Sequence, residues 1–193
     1  LNAEAMIKLP IRLETRPEWK ELLADAVAQL KRLEAIAKLE RQDTGEYIRP
    51  IMLIQAQPKR KDKETLTVET VKKCLIEDLR IPENQIAIAT GDEKGLEGVD
   101  VLDPKCEIRY IITVYALKEG WDCPFAYVLC SVADMRASTA VEQILGRVMR
   151  LPKAEKKKRA ELNLAYAFAT LTFQEAAKAL QDALIDNGFE RQE

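Results

Sequence analysis

Histidine is absent from all 193 residues. That removes the commonest general base and the commonest metal ligand, so a histidine-based triad and a histidine-ligated zinc site are both excluded. Cysteine occurs four times, at Cys74, Cys106, Cys123 and Cys130, with no C-x-x-C pair among them. Scattered cysteines without a secretory signal indicate reduced thiols and a cytoplasmic setting. No apolar run approaches the ~18 residues that a membrane span requires, and no Gly-Lys dipeptide is present, so the chain has no P-loop of its own. Net charge is only −2; with no global basic field, any nucleic-acid contact must be local. Position 1 is Leu rather than Met and nothing near it resembles a signal peptide, which reads as a piece excised from a longer chain.

What is present is an ordinary globular composition, 47% hydrophobic and 32% charged, in a length sufficient for one sizeable core. "MIKLPIRL" (6–13) predicts a short strand interrupted by Pro10, hence an edge. From Pro17 to Arg41 the spacing of Leu23, Val27, Leu30 and Leu33 predicts an amphipathic helix. "PIMLIQA" (50–56), "QIAIA" (85–89), "EIRYIITVY" (107–115), "FAYVLCSV" (125–132) and "LNLAYAFAT" (162–170) read as strands, mostly continuous apolar runs of the kind buried in parallel sheets. Helices are predicted over 66–79, 139–150 and 173–187, and "KAEKKKRAE" reads as a solvated charged connector. Buried strands alternating with amphipathic helices give an α/β domain of three layers, a mostly parallel sheet with helices on both faces. Its working loops should leave the carboxyl ends of the strands. These are "QAQPKRK", "TGDEKG", "LKEGWDCP" and "ADMRAST".

The stretch "VEQILGRVMRLP" (141–152) carries the most chemistry. Thr139 followed by Glu142 makes a capping box at the helix start. At roughly 100° per residue, Gln143, Arg147 and Arg150 share one narrow stripe, with Val141, Leu145 and Val148 opposite. Gly146 lies beside the stripe. A mid-helix glycine costs about 1 kcal/mol relative to alanine, and close approach of a ligand or another backbone is the usual reason to accept it.

The stripe, Q-x-x-G-R-x-x-R, resembles the sixth motif of DEAD/DEAH-type nucleic-acid helicases, and "KEGWD" (118–122) resembles their fifth. The wording "YALKEGWDCPFAYVL" followed by "VEQILGRVMRLP" is similar to the motor subunit of type III restriction enzymes, as are "MIKLPIRL", "RPIMLIQAQ" and "LIDNGFE". The resemblance implies the second RecA-like lobe of a two-lobed motor, with residues 1–49 as an opening strand and helix of the lobe or an inter-lobe connection, and 50–193 as the helicase C-terminal lobe. ATP and magnesium would be held mainly by a first lobe of the same parent chain. By the same resemblance Arg147 and Arg150 reach the γ-phosphate, with Gln143 beside it. A planar, permanently charged guanidinium suits the charge that spreads over terminal oxygens in phosphoryl transfer. Gly120 lets the backbone pass close to the nucleotide, Asp122 accepts from a ribose hydroxyl, and Gly146 borders the nucleotide.

Thr113 resembles the phosphate-contacting threonine of the fifth motif, one residue further from the aspartate than in the simplest pattern. Thr90 and Gly91 would brush a nucleic-acid backbone. Lys59 and Arg60 in "PKRKDK" (58–63) are the better basic candidates for DNA, since they leave a strand's carboxyl end. "IAIATGDEKG" is not an acid pair of the magnesium-binding kind: Thr90-Gly91 intervenes and Gly95 stands where Asp or His is expected. Implied partners are DNA, the first lobe and a modification (methyltransferase) subunit, with no membrane. The contrasting reading is a non-catalytic RecA-like module that binds nucleic acid or a partner.

Overall fold

The computed structural model describes residues 7, 8, 10–90, 95–114, 123–133 and 150–170, with 175, 177, 178, 181, 182 and 185 near the end. Their elements run β1 (Ile11–Thr15), α1 (Trp19–Thr44), β2 (Ile51–Gln55), α2 (Val68–Lys73), β3 (Ile86–Ile88), β4 (Tyr110–Thr113), β5 (Ala126–Ser131) and β6 (Ala165–Ala169). The six strands form one sheet in the order β1-β6-β5-β2-β4-β3. Every pairing is parallel.

β2, β4, β5 and β6 are buried at every position. Successive side chains point to opposite faces, so both faces of the sheet are covered and the α/β expectation holds. β1 alternates half-buried and exposed residues, as an edge strand should, and Pro10 immediately precedes it. Of the four predicted helices, the first is α1, and the described positions of 173–187 are helical. The second is shorter than its apolar spacing suggests: α2 gives way at Cys74 to a π-helical turn through Asp78. The helix predicted over 139–150 lies outside the described residues except for Arg150, which is not helical but bridges Ile7 in antiparallel fashion.

α1 buries Leu22, Leu23, Ala26, Val27, Leu30, Leu33 and Ala37 against β2, β5 and β6, while α2 packs on β4. It ends at Gly45, whose φ of +78° is left-handed and whose amide donates to the Arg41 carbonyl. Glycine suits that position because a side chain there strains the backbone. Parallel crossovers are right-handed. The steps β1→β2 and β2→β3 run in one direction across the sheet, and β4→β5 and β5→β6 run in the other.

Several buried charges hold the amino-terminal rim of the sheet. Arg49, 2% exposed, donates from Nε to Ile108 O at 3.1 Å, and from its terminal nitrogens to Tyr47 Oη at 3.0 Å, Asp103 O at 2.9 Å and Val101 O. Its guanidinium lies 5.9 Å from the Phe125 ring centroid. The buried Glu40 carboxylate, near the end of α1, accepts the amides of Lys158 and Arg159 at 2.8 and 3.0 Å. Lys157 is also buried, its ammonium 2.7 and 2.9 Å from the two oxygens of Glu46. Arg159 pairs with Asp43 at 2.6 Å. The connector expected to be solvated is therefore docked on the end of α1, because α1 places carboxylates where the connector's amides and lysine can use them.

The four cysteines are unpaired, and Cys74, Cys123 and Cys130 are buried. Burial pushes the Cys130 thiol up to about 12. Among the described residues no helix is long and apolar enough to cross a membrane.

Tyr127 is fully buried and its hydroxyl has no hydrogen-bond partner; burial pushes its pKa well above the usual tyrosine value. An unsatisfied buried hydroxyl costs about 1–3 kcal/mol. Tyr127→Phe is therefore expected to raise the melting temperature by about 2–12 °C at ~2–4 °C per kcal/mol for a domain of this size. A thermal melt of the two proteins side by side checks it; a fall in melting temperature would show that the hydroxyl is satisfied.

Candidate functional site

Three polar side chains end adjacent strands at the carboxyl rim. Gln55 closes β2, Thr113 closes β4 and Ser131 closes β5, and Gln55 is in register with both of the others. All are buried, at 5%, 1% and 0% exposure respectively. The Ser131 hydroxyl is shared between Gln55 Oε1 at 3.0 Å and Ala133 O at 3.2 Å. Polar groups are retained in such a position only when hydrogen-bonded. Here they fix where the chain leaves each strand.

The strand order reverses beside β2: β2 is followed in the chain by β3 on one side of it, and β4 is followed by β5 on the other. Ligands of open parallel sheets bind in the crevice at such switch points, outside the carboxyl ends of the strands. By this geometry the crevice lies beside β2, at Gln55, Thr113 and Ser131.

Gln57 extends the rim. Its side-chain amide donates to Val132 O at 3.2 Å and its Oε1 accepts the Leu66 amide at 2.9 Å. Its own backbone amide donates to Leu66 O at 2.8 Å. The segment 58–65 is thereby closed into a loop tied to the end of β5. Lys59, Arg60, Lys61 and Lys63 are exposed on it. Thr67 caps α2 just beyond, accepting the Thr70 amide at 3.4 Å. The Glu69 carboxyl is held below the usual range, first by its own backbone amide, then by the Thr67 hydroxyl, with a smaller contribution from Lys59. A cleft of about 410 Å³ lies alongside, lined by Trp19, Glu64, Thr65, Leu66 and Thr70.

At the end of β3 the Gly95 amide donates to Ile88 O at 2.9 Å. A Cβ on Gly95 would meet that same oxygen at 2.5 Å, so the returning backbone requires glycine. This explains why Gly95 occupies a position where an acidic residue would complete a metal-binding pair. Among the described residues no cluster of His, Cys, Asp or Glu could hold a metal ion.

The sequence-predicted residues divide as follows. Lys59 and Arg60 are exposed beyond β2, Thr90 is half-buried beyond β3, and Thr113 is buried at the end of β4; all four share the carboxyl rim. Arg150 is exposed at the opposite end. Its backbone bridges Ile7 in antiparallel fashion, and its carbonyl accepts from Lys8, which also holds Ala126 at the start of β5. Gly91, Gly120, Asp122, Gln143, Gly146 and Arg147 lie outside the described residues.

Sequence reasoning missed Gln55, Gln57 and Ser131. The available signal was a glutamine or serine closing an otherwise apolar strand. It also missed Lys8 and Arg49, single basic residues flanked by apolar ones at the start of strands.

No family model matches this chain, and no curated protein does. Among solved structures, the C-terminal domain of S. cerevisiae Dbp5, in a complex with Gle1 and IP6, is similar at 14% sequence identity with a TM-score of 0.45, covering 97% of this chain and 88% of that one.

Proposed function

We propose that this chain is the second motor lobe of an ATP-dependent DNA helicase or translocase of the type III restriction enzyme kind. In this reading Arg147 and Arg150 serve ATP held by a first lobe, and the carboxyl-rim loops form part of the DNA track. The observation that carries it is where the motif-bearing segments attach. "KEGWD" follows the end of β4 and the Gln143–Arg150 segment follows the end of β5. β2, which launches the basic loop, lies between those two strands. The basic loop leaves β2 at the carboxyl rim and the two motif-bearing segments follow its neighbours β4 and β5 in the chain, while Arg150 itself stands at the opposite end of the sheet beside Ile7 and Lys8.

Within this reading Gln143 sits by the γ-phosphate, Gly120, Asp122 and Gly146 border the nucleotide, and Thr90 and Gly91 contact the nucleic-acid backbone, whereas Thr113 is buried at the end of β4 and supports the rim from within. Lys59 and Arg60 contribute salt-sensitive phosphate contacts. ATP with magnesium, when bound, supplies the reactive phosphoryl group; this chain's residues would orient it and meet its developing charge. A methyltransferase subunit is the further partner this reading implies.

The test uses the purified chain. It should show no magnesium-dependent ATP turnover, and its binding to labelled single-stranded DNA should be weak and independent of sequence. Replacing both Lys59 and Arg60 by Ala should flatten the plot of log affinity against log salt by about 1.4, from ~0.7 per lost phosphate contact on single strands. Fluorescence anisotropy at several salt concentrations measures the slope. An unchanged slope would remove the loop from the track. Robust turnover by the chain alone would overturn the motor-lobe reading.

A further inference from the structure

The cleft beside the basic loop, about 410 Å³, is within the ~300–1,000 Å³ of small-ligand sites. Two parts of the chain build its walls. Trp19, the first residue of α1, supplies an indole; Glu64, Thr65 and Leu66 end the basic loop, and Thr70 lies in the first turn of α2. Trp19 and Leu66 are half-buried and pack on the core. Lys20 lies 5.7 Å from the indole ring centroid but is anchored to Asp78 at 3.0 Å. The loop side is equally fixed, because Gln57 holds both the amide and the carbonyl of Leu66 and Thr67 caps α2. A cleft ordered before binding loses little entropy when a ligand enters.

Charge changes sign from the inside of the cleft to its approach. Glu64 is the ionisable group in the lining, whereas Lys59, Arg60, Lys61 and Lys63 are exposed on the loop just before it. Lys59 stands near the first turn of α2: after the Glu69 backbone amide and the Thr67 hydroxyl, its charge helps to hold the Glu69 carboxyl below the usual range, and Glu69 adjoins Thr70 in the cleft wall. A carboxylate inside disfavours a free anion there. It suits a flat, neutral group with N–H donors whose anionic remainder stays outside on the cations. A nucleotide of a single strand has both ends: base N–H groups for a carboxylate, a π-face for an indole and a phosphate for the lysines. A base stacked and paired inside a duplex cannot enter such a cleft without being extruded.

We propose that this cleft receives an unpaired nucleobase stacked on Trp19, with the phosphates of the same strand on the 59–63 loop. The inference rests on the reading of that loop as part of a DNA track, and deepens it: the loop supplies charge, and Trp19 supplies preference for single strands over duplex. Stacking is tolerant of sequence because every base has a π-face.

The experiment uses the purified chain at low salt, with fluorescence anisotropy of a labelled single strand, a duplex of the same sequence, and a single strand of the same length carrying tetrahydrofuran abasic sites. Trp19→Ala should weaken binding to the single strand about tenfold, leave duplex binding unchanged and leave the salt slope unchanged. Trp19→Phe, which keeps an aromatic face, should retain most of the affinity. The wild-type chain should bind the abasic strand about as weakly as Trp19→Ala binds the intact one, and Trp19→Ala should lose nothing further on the abasic strand. If Trp19→Ala does not fold, Trp19→Leu, which fills the space without a flat face, takes its place.

Unchanged single-strand affinity in that variant, an equal loss on duplex, or wild-type binding of the abasic strand as tight as that of the intact one would each overturn the proposal. So would displacement of the strand by a free nucleoside monophosphate at equimolar concentration, which would make the cleft a mononucleotide site. The double replacement of Lys59 and Arg60 by Ala separates the two readings. If it leaves the salt slope unchanged, the DNA-track reading fails; if it flattens the slope while Trp19→Ala binds as wild type does, only the stacking on Trp19 fails.

Discussion

In the full-length protein, Arg147→Ala is expected to reduce DNA-stimulated ATP turnover by about 10³–10⁵-fold, the range for loss of an arginine finger. By sequence spacing Gln143 and Arg147 fall on one side of a predicted helix, and the motor-lobe reading proposed above puts that side against ATP. The loss should fall on kcat, since the charge that a guanidinium stabilises develops in the transition state. Arg147→Lys should recover little, because a point charge does not reproduce a planar fork. Gly146→Ala should impair turnover more than stability, alanine being the better helix former by about 1 kcal/mol. Steady-state ATPase with and without DNA, beside thermal melts, separates these outcomes. Near-normal turnover in Arg147→Ala would make the stripe a solvated helix face.

Arg49→Met is expected to destabilise the isolated domain by about 3–5 kcal/mol. The substitution keeps most of the apolar stem that packs near Phe125 but removes every donor. The carbonyls of Val101, Asp103 and Ile108, now served by one buried guanidinium, lose their partner, and each buried orphan costs about 1–3 kcal/mol before relaxation and water entry reduce the total. At ~2–4 °C per kcal/mol the melting temperature should fall by roughly 6–20 °C. Arg49→Lys should recover less than half, since one ammonium cannot span acceptors that lie on different sides of a planar group. Urea unfolding of the three proteins measures the difference. A loss below about 1 kcal/mol would mean that the 100–108 segment is held by other contacts.

The parallel sheet was legible because its central strands are written as uninterrupted apolar runs, and "PIMLIQA" can satisfy its periodicity in no other way in a chain this polar elsewhere. The positions of the rim loops followed from that. The buried charges were not legible, because periodicity reports faces and not partners. Lys157 stands in "EKKKRAE", where nothing distinguishes it from its exposed neighbours; only the end of α1 supplies the Glu46 that draws it in. Lys8 similarly looks like the polar member of an alternating strand until Arg150 is brought beside it from 142 residues away. The π-helical turn at 74–78 leaves the apolar spacing nearly intact and so gave no sign. Of the candidate site, the rim was foreseeable from strand ends, whereas its polar lining, Gln55 and Ser131, required knowing which strands are neighbours.

The pairing of β1 with β6 sets a timetable for synthesis. Ile11 pairs with Ala165, so the strand made first waits for the strand made last. At ~5–20 residues per second, the ribosome needs roughly 8–30 s to supply that partner. Throughout this interval β1 has no ladder to join. Nor can Lys8 close its junction until Arg150 has been made. The exposed Arg12 and Glu14 that alternate with its half-buried residues, together with Pro10 just before it, are features that discourage a bare strand from pairing with a neighbouring chain. The same residues that make β1 a modest edge in the finished sheet keep the nascent chain soluble while the rest of the domain is translated.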